Sequence, residues 1–397
     1  MPVAASRNGP RMHPKVRLLR FLNMTINSGI AMKRVRVVLF WLHLVAGTVG
    51  GLFIAIMATT GILLAFESEL VGLADGTSAL ATPGTPLPID ELVARATASG
   101  TKMNAITWKP NAALFVSFGG GEGRYVDPVT GEVRRPKGDG VRHALDFVEG
   151  VHRWLGAGEG KARDAGKVFT GTVALAFVFL GLSGLWLWLP RRWSWKNVRA
   201  VAVLRRGLSG KARDFNWHNA IGFWALPVLI VIASSGAVIG FTWANDLVYR
   251  AFGEKPPAAA PKTPPPKDTL PLEELFVRVR GVAPTARQIT MRKDFTFVVK
   301  DDTGPAFSAR AITLNPATGA LVKVEGWGEA TPGRKARIWL RFLHTGQALG
   351  IPGQIVAALA CVGALLLVWT GLALALRRFH GWRSRSRAAP PPVAVSG

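Results

Sequence analysis

Four of the seven histidines in this chain stand where an imidazole must have a use. His43 and His218 lie inside long apolar stretches, and His152 and His344 come shortly before two more. Neutral imidazole binds transition metals well, and an ionisable side chain inside a membrane-length apolar segment is costly enough to suggest function. The four also recur in a pattern. His43-Leu44-Val45-Ala46-Gly47 leads to Thr60-Gly61, and His218-Asn219-Ala220-Ile221-Gly222 leads to Ser235-Gly236 over the same interval. More loosely, His152 leads to Ser183-Gly184 and His344 to Thr370-Gly371, with extra length in the polar stretch 159–166.

An internal repeat whose halves run the same way through a membrane is related by a pseudo-two-fold axis along the membrane normal. Equivalent residues then face each other, so His43 is expected opposite His218 and His152 opposite His344. Two imidazoles facing across a bundle interior are what the iron of a haem needs as axial ligands. The expectation is two haems b, one held by His43 and His218 and the other by His152 and His344. Zinc fits less well, because each layer offers two ligands and no nearby carboxylate or thiol completes four.

Blander uses stand beside these. A lone intramembrane histidine can snorkel or make one hydrogen bond to a neighbouring helix. The Ser/Thr-Gly pairs, which would make room for a porphyrin, are equally ordinary small-residue helix packing. Arg153 and Arg341 flank the outer pair as candidate cofactor-binding residues for haem propionates, and Arg36, Lys211 and Arg213 flank the inner pair. Asp214, one turn before His218, is placed to accept that ring's other N–H or to cap a helix. His143 reads first as a surface residue, then as a substitute ligand or a proton relay; His13 and His380 sit among basic tail residues.

The elements that must hold these residues are apolar helices. Hydrophobic residues make up 49% and charged residues 18% of the 397. Segments of about 37–66, 168–189, 217–241 and 353–376 each reach the roughly 20 residues that cross a hydrocarbon core. The net charge of +25 is concentrated in residues 1–36, 190–213 and 377–397, which contain no acidic residue. Basic segments alternating with spans follow the positive-inside rule, placing both termini and the middle loop in the cytoplasm. They do not make the single basic face that nucleic-acid binding needs. One cysteine, Cys361, excludes disulfide frameworks and cysteine-ligated zinc or iron–sulfur clusters. There is no P-loop, and the Gly119–Gly123 cluster lacks dinucleotide spacing and falls in a hairpin loop. Electrons are therefore expected from membrane quinol or a separate reductase.

The segments between spans repeat as well. Leu87-Pro88-Ile89-Asp90-Glu91-Leu92 echoes Leu270-Pro271-Leu272-Glu273-Glu274-Leu275, a helix start. Tyr125–Val133 echoes Thr313–Leu321, each a strand, an Asp/Asn-Pro turn with glycine, and a second strand. Each outer segment reads as a small α+β unit, the second entered through a stiff proline-rich linker, Pro256–Lys267. The division is a cytoplasmic tail at 1–36, span 37–66, outer domain 67–150, histidine segment and span 151–190, and basic loop 191–213. The second half follows as span 214–244, outer domain 245–333, histidine segment and span 334–378, and a tail at 379–397.

Trp41-Leu42-His43, Asp127-Pro128-Val129-Thr130-Gly131-Glu132, His152-Arg153-Trp154-Leu155 and the run Leu185-Trp186-Leu187-Trp188-Leu189-Pro190-Arg191-Arg192 resemble the PepSY-associated transmembrane-helix family. The resemblance covers roughly residues 35–380. It implies a mainly α membrane protein, a four-helix transmembrane bundle made by internal duplication with two small α+β PepSY-like periplasmic domains. It also implies a multi-pass location in a bacterial inner membrane and, by likeness to ferric-siderophore reductases and iron-regulated inner-membrane proteins, a membrane-bound oxidoreductase whose substrate is a ferric siderophore. The other implication is a non-catalytic PepSY module that binds, senses or regulates a peptidase. The charge pattern makes a topology test direct: a reporter fused after Gly207 is expected to read cytoplasmic and one after Pro264 periplasmic, by paired phosphatase and fluorescence activities.

Overall fold

The computed structural model describes residues 14–189, 194–258, 268–301 and 306–388, with side chains from Met32 onward. His13, residues 190–193, most of the proline-rich linker and the end of the C-terminal tail lie outside the described residues. Among the described residues, four helices are long and apolar enough to cross a membrane: Met32–Ala65, Lys161–Trp188, Gly210–Gly240 and Gln347–Ser384. They coincide with the four segments expected from sequence, each beginning five to seven residues earlier, the first three ending one residue short and the fourth running past to Ser384. The first belongs to a continuous helix from Pro14 (α1, Pro14–Ala65), so much of the segment read as a tail is helical.

The first half continues with α2 (Glu67–Asp75), α3 (Ile89–Ala96), β1 (Ala105–Trp108), β2 (Leu114–Gly119), β3 (Glu122–Val126), β4 (Val133–Arg134), α4 (Asp139–Trp154) and α5 (Lys161–Trp188). A short amphipathic helix, α6 (Trp195–Ala202), leads to the second half. That half comprises α7 (Gly210–Gly240), α8 (Thr242–Ala251), α9 (Leu272–Val282), β5 (Ala286–Arg292), β6 (Thr296–Asp301), β7 (Arg310–Leu314), β8 (Leu321–Glu325), α10 (Pro332–His344) and α11 (Gly350–Ala388).

Small residues let the spans approach. Ala58, Ala233, Ala360 and Ala364 are buried in the bundle, and the Gly240 position comes so close to Gly171 that an added Cβ would meet the facing Cα at 3.1 Å. Close backbone approach is how transmembrane helices gain packing without a hydrophobic drive between them. Large apolar residues point outward instead, with Val49, Leu52, Trp224 and Leu359 all more than 60% exposed. Such an apolar exterior suits lipid and not water.

The segments outside the bundle differ from two separate domains. Their strands form one antiparallel eight-stranded sheet in the order β4-β3-β2-β1-β5-β6-β7-β8. The halves join where Ile106 on β1 pairs with Met291 on β5. That pairing removes an unpaired sheet edge from each half, and the buried core beneath draws Ile106, Leu114 and Val126 from one half and Leu275, Phe276 and Phe297 from the other. The hairpin echo is structural too. Asp127 Oδ1 accepts from the Val129 and Thr130 amides, Asn315 Oδ1 from those of Ala317 and Thr318. Gly131 and Gly319 take φ of +69° and +68°, where a Cβ is strained.

The two echoed helix starts cap one another. Asp90 accepts from the Leu272 and Glu273 amides of α9 at 2.7 and 2.9 Å, while Glu273 accepts from the Ile89 amide of α3 at 3.0 Å. Each satisfies orphan donors of the other half's helix. Asp90→Ala is expected to destabilise the sheet layer by about 1 kcal/mol, read as a lower melting temperature of detergent-solubilised protein; an unchanged melt would show the exchange contributes nothing.

Candidate functional site

The histidines reach the bundle by two routes. His43 and His218 lie within the spans α1 and α7. His152 and His344 sit in the last turns of the amphipathic helices α4 and α10, which lie between sheet and bundle. The end of α4 is tied to α5, where the Thr170 hydroxyl donates to the Arg153 carbonyl at 2.9 Å. On α10, Arg337 donates to Asn245 of α8 at 2.7 Å. These ties aim the terminal turn of each helix into the bundle.

Both expected pairs form. The ring centres of His43 and His218 are 6.4 Å apart, and those of His152 and His344 are 6.2 Å apart. Rings packed directly edge to face fall in the same range, so the surroundings must decide. A metal–imidazole bond is about 2.0–2.1 Å and a ring nitrogen lies roughly 1.2 Å from its ring centre, so two opposed ligands put their centres about 6.4 Å apart. The observed separations match that spacing.

Each ring is held by a Ser/Thr-Gly pair on a neighbouring helix. His43 Nδ1 lies 2.9 Å from Ser183 Oγ, His152 Nδ1 2.8 Å from Thr60 Oγ1, and His218 Nδ1 3.0 Å from Thr370 Oγ1. His344 Nδ1 lies 3.3 Å from Ser235 Oγ and 2.9 Å from the Ile232 carbonyl. The following glycines, Gly184, Gly61, Gly371 and Gly236, lie against the Cε1 edges of the same rings. No hydrogen bond to any Nε2 is formed among the described residues. The pairs at the expected levels therefore grip the imidazoles, where sequence had suggested only porphyrin clearance or plain helix packing. The signal was present in the sequence, but the gripping partner lies on another helix and spacing along one helix cannot reveal it.

The two layers lie about 26 Å apart along α1, from His43 to the Thr60 that holds His152. A cavity of about 1270 Å³ surrounds the inner pair, walled by Phe177, Leu180, Leu226 and a Trp188–Phe223 stack at 4.6 Å. Lys33, Arg36, Lys211, Arg377 and Arg378 also line it, and none of its described lining residues is acidic. Among the described residues no three of His, Cys, Asp and Glu converge. The arrangement can offer two imidazole nitrogens from opposite sides at each layer, at the inner one within largely apolar walls.

Other sequence candidates settle differently. Asp214 neither partners His218 nor caps α7, where Ser209 is the N-cap. It is buried and ion-paired to Arg213 at 2.8 Å and Arg377 at 3.2 Å. Arg36 donates to the Leu187 carbonyl at 2.6 Å, closing the end of α5. Arg153 pairs with Glu149 at 2.6 Å on the surface of α4, and Arg341 is exposed on α10. His143 is exposed, its Nδ1 2.8 Å from the Asp139 carbonyl of its own helix, as a surface residue. Cys361 is buried in the bundle as a free thiol.

Fold and site together define a multi-pass membrane protein with two paired-histidine layers in its bundle. The chain belongs to the PepSY-associated TM region family, whose pattern matches residues 40–378. It is also 26% identical over 187 residues to an uncharacterized protein of Pseudomonas aeruginosa, a match spanning 46% of this chain and 41% of that protein.

Burial, with the positive fields of protonated His344 and of Arg153 adding to it, lowers His152 from 6.5 to about 4, and burial also lowers His344. Both are therefore neutral at pH 7, the form that binds a metal. The unfolded chain takes up these protons first, so stability is full above about pH 6.5 and falls as the pH drops toward 4. In the protein purified without added metal or cofactor, His152→Gln is expected to flatten that fall, measured as melting temperature between pH 7.5 and 4.5; an unchanged slope would contradict it.

Proposed function

We propose that this chain is a di-haem b-type cytochrome of a bacterial inner membrane that passes electrons outward to a periplasmic ferric siderophore, releasing Fe(II). The observation that carries the reading is the twice-repeated imidazole pair, spaced for opposed ligation, with every Nδ1 engaged and no Nε2 hydrogen-bonded among the described residues. A metal with only two protein ligands needs the rest from elsewhere, and a porphyrin held by His43 and His218 or by His152 and His344 would supply them. Haem bound there supplies a one-electron Fe(III)/Fe(II) couple at each layer.

The residues divide the remaining work. His43 and His218 hold the inner layer, and His152 and His344 the outer. Leu180, Leu226 and Phe177 keep the inner chamber dry, and the basic rim of Lys33, Arg36, Lys211, Arg377 and Arg378 suits the propionate carboxylates. At the outer layer Arg341 is the free counterpart, since Arg153 is engaged by Glu149. Palindromic strand order and matched clamps support origin by duplication, with each half supplying one ligand to each layer. The basic, acid-free segments favour the inner layer facing the cytoplasm, where quinol or a reductase donates. The sheet then lies in the periplasm beside the outer layer, and each Fe(III) of substrate takes one electron there.

Membranes carrying the protein are expected to be red, with a dithionite-reduced b-type spectrum equal to two haems per chain. His43→Ala and His218→Ala should each lose the same haem, and the double variant should lose no more. His344→Ala should abolish Fe(II) release, read with an Fe(II)-specific chelator, while the inner haem stays reducible by its donor. Loss of different haems in the first two variants would sink the pairing. Colourless purified protein would sink the cytochrome and leave the non-catalytic module.

A further inference from the structure

We propose that Thr60, Ser183, Ser235 and Thr370 are positioning residues that fix each facing histidine in the tautomer protonated on Nδ1, leaving Nε2 as the nitrogen presented to a metal. This rests on the histidines being ligands and specifies which atom of each one ligates.

A hydroxyl has one proton, and in all four cases a carbonyl one turn back takes it. Thr60 donates to Ile56, Ser183 to Phe179 and Thr370 to Leu366 at 2.7 Å each, and Ser235 donates to Val231 at 2.6 Å. With the hydroxyl proton placed on that carbonyl, the oxygen accepts and the ring nitrogen beside it donates. His344 confirms the direction independently, because the Ile232 carbonyl 2.9 Å from its Nδ1 cannot donate. Back-bonding to the helix is common for intramembrane Ser and Thr and explains the first contact alone. It does not explain why each hydroxyl is also an imidazole partner. The neighbouring glycine completes the grip. A Cβ at Gly184, Gly236, Gly371 or Gly61 would stand 3.2, 3.2, 3.3 or 3.4 Å from the ring's Cε1, so the ring could not lie as close to the hydroxyl. All four hydroxyl residues are buried, from Ser235 at 0% to Thr60 at 9% exposed.

The four grips are unequal, and that gives the test its order. His344 retains the Ile232 carbonyl without Ser235, and the carbonyls of Met57 and Leu367 also reach His152 and His218. For His43, Ser183 is the one hydrogen-bond partner among the described residues. Ser183→Ala should therefore matter most and Ser235→Ala least.

The experiment uses the full-length chain with ¹⁵N-labelled histidine, purified with and without haem. Without haem, the side-chain ¹⁵N shifts of His43 should report an Nδ1-protonated ring in the parent protein and a tautomer mixture in Ser183→Ala. Titrated haem b should bind the inner site about 10–100-fold more weakly in that variant, the usual cost of losing a ligand's hydrogen-bond partner. Ser183→Thr, which keeps the hydroxyl, should restore both readouts, and Ser235→Ala should change binding by less than tenfold. An Nδ1-protonated His43 with parental haem affinity in Ser183→Ala would overturn the assignment. So would a Ser183→Thr variant as impaired as Ser183→Ala, since packing would then be the cause. If the parent takes up no haem, the cytochrome reading falls, and the tautomer readout still decides the clamp.

Discussion

Everything in the bundle follows from the cost of placing an imidazole where there is no water. A buried ring N–H left without an acceptor costs about 1–3 kcal/mol, and a hydrocarbon surround offers none. The chain meets that need by bringing a Ser or Thr of a second helix to each ring. The same contact decides which helices must be neighbours. Ser183 puts α5 beside α1, Thr370 puts α11 beside α7, and Thr60 and Ser235 draw the ends of α4 and α10 onto α1 and α7. Hydrogen bonding of the imidazoles and packing of the bundle are one requirement.

Each half satisfies its own rings, while the spans of the two halves also pack directly on each other, Gly240 of α7 against Gly171 of α5 and Ala58 of α1 with Ala360 and Ala364 of α11. Outside the bundle the relation reverses, since Asp90 and Glu273 cap helices of the opposite half and β1 joins β5. The two halves are thus joined by strand pairing and helix caps at the sheet and by helix packing in the bundle, and no hydrogen bond among the described residues links the two rings of either histidine pair. A group bridging the paired imidazoles would close the axis at those layers too, so occupancy should couple to stability throughout the chain.

The layers themselves differ. The inner pair lies in a large apolar chamber with a basic rim, whereas the outer pair hangs from helices whose exposed faces carry Glu149, Arg153 and Arg341. In the proposed reading, that acid-free basic rim and apolar wall would suit a ligand with carboxylates and an apolar body. Asp214 sharpens that rim instead of opposing it, because its carboxylate is buried behind Arg213 and Arg377 and holds them in place.

Much of this was written in the sequence. Span length and hydropathy determined the four helices, since in lipid an apolar run of that length has no other way to satisfy its backbone. The repeat determined which histidines would meet, because symmetry carries equivalent residues to one depth. The Asp/Asn-Pro turns with their positive-φ glycines determined the hairpins by local chemistry alone. Only tertiary structure decided the rest, and in each case the partner is distant in the chain. That two outer segments share one sheet depends on β1 meeting β5 across some 180 residues. That Ser183 grips His43 depends on α5 crossing α1. Periodicity along a helix says which face a residue occupies; only the packed bundle says what that face meets.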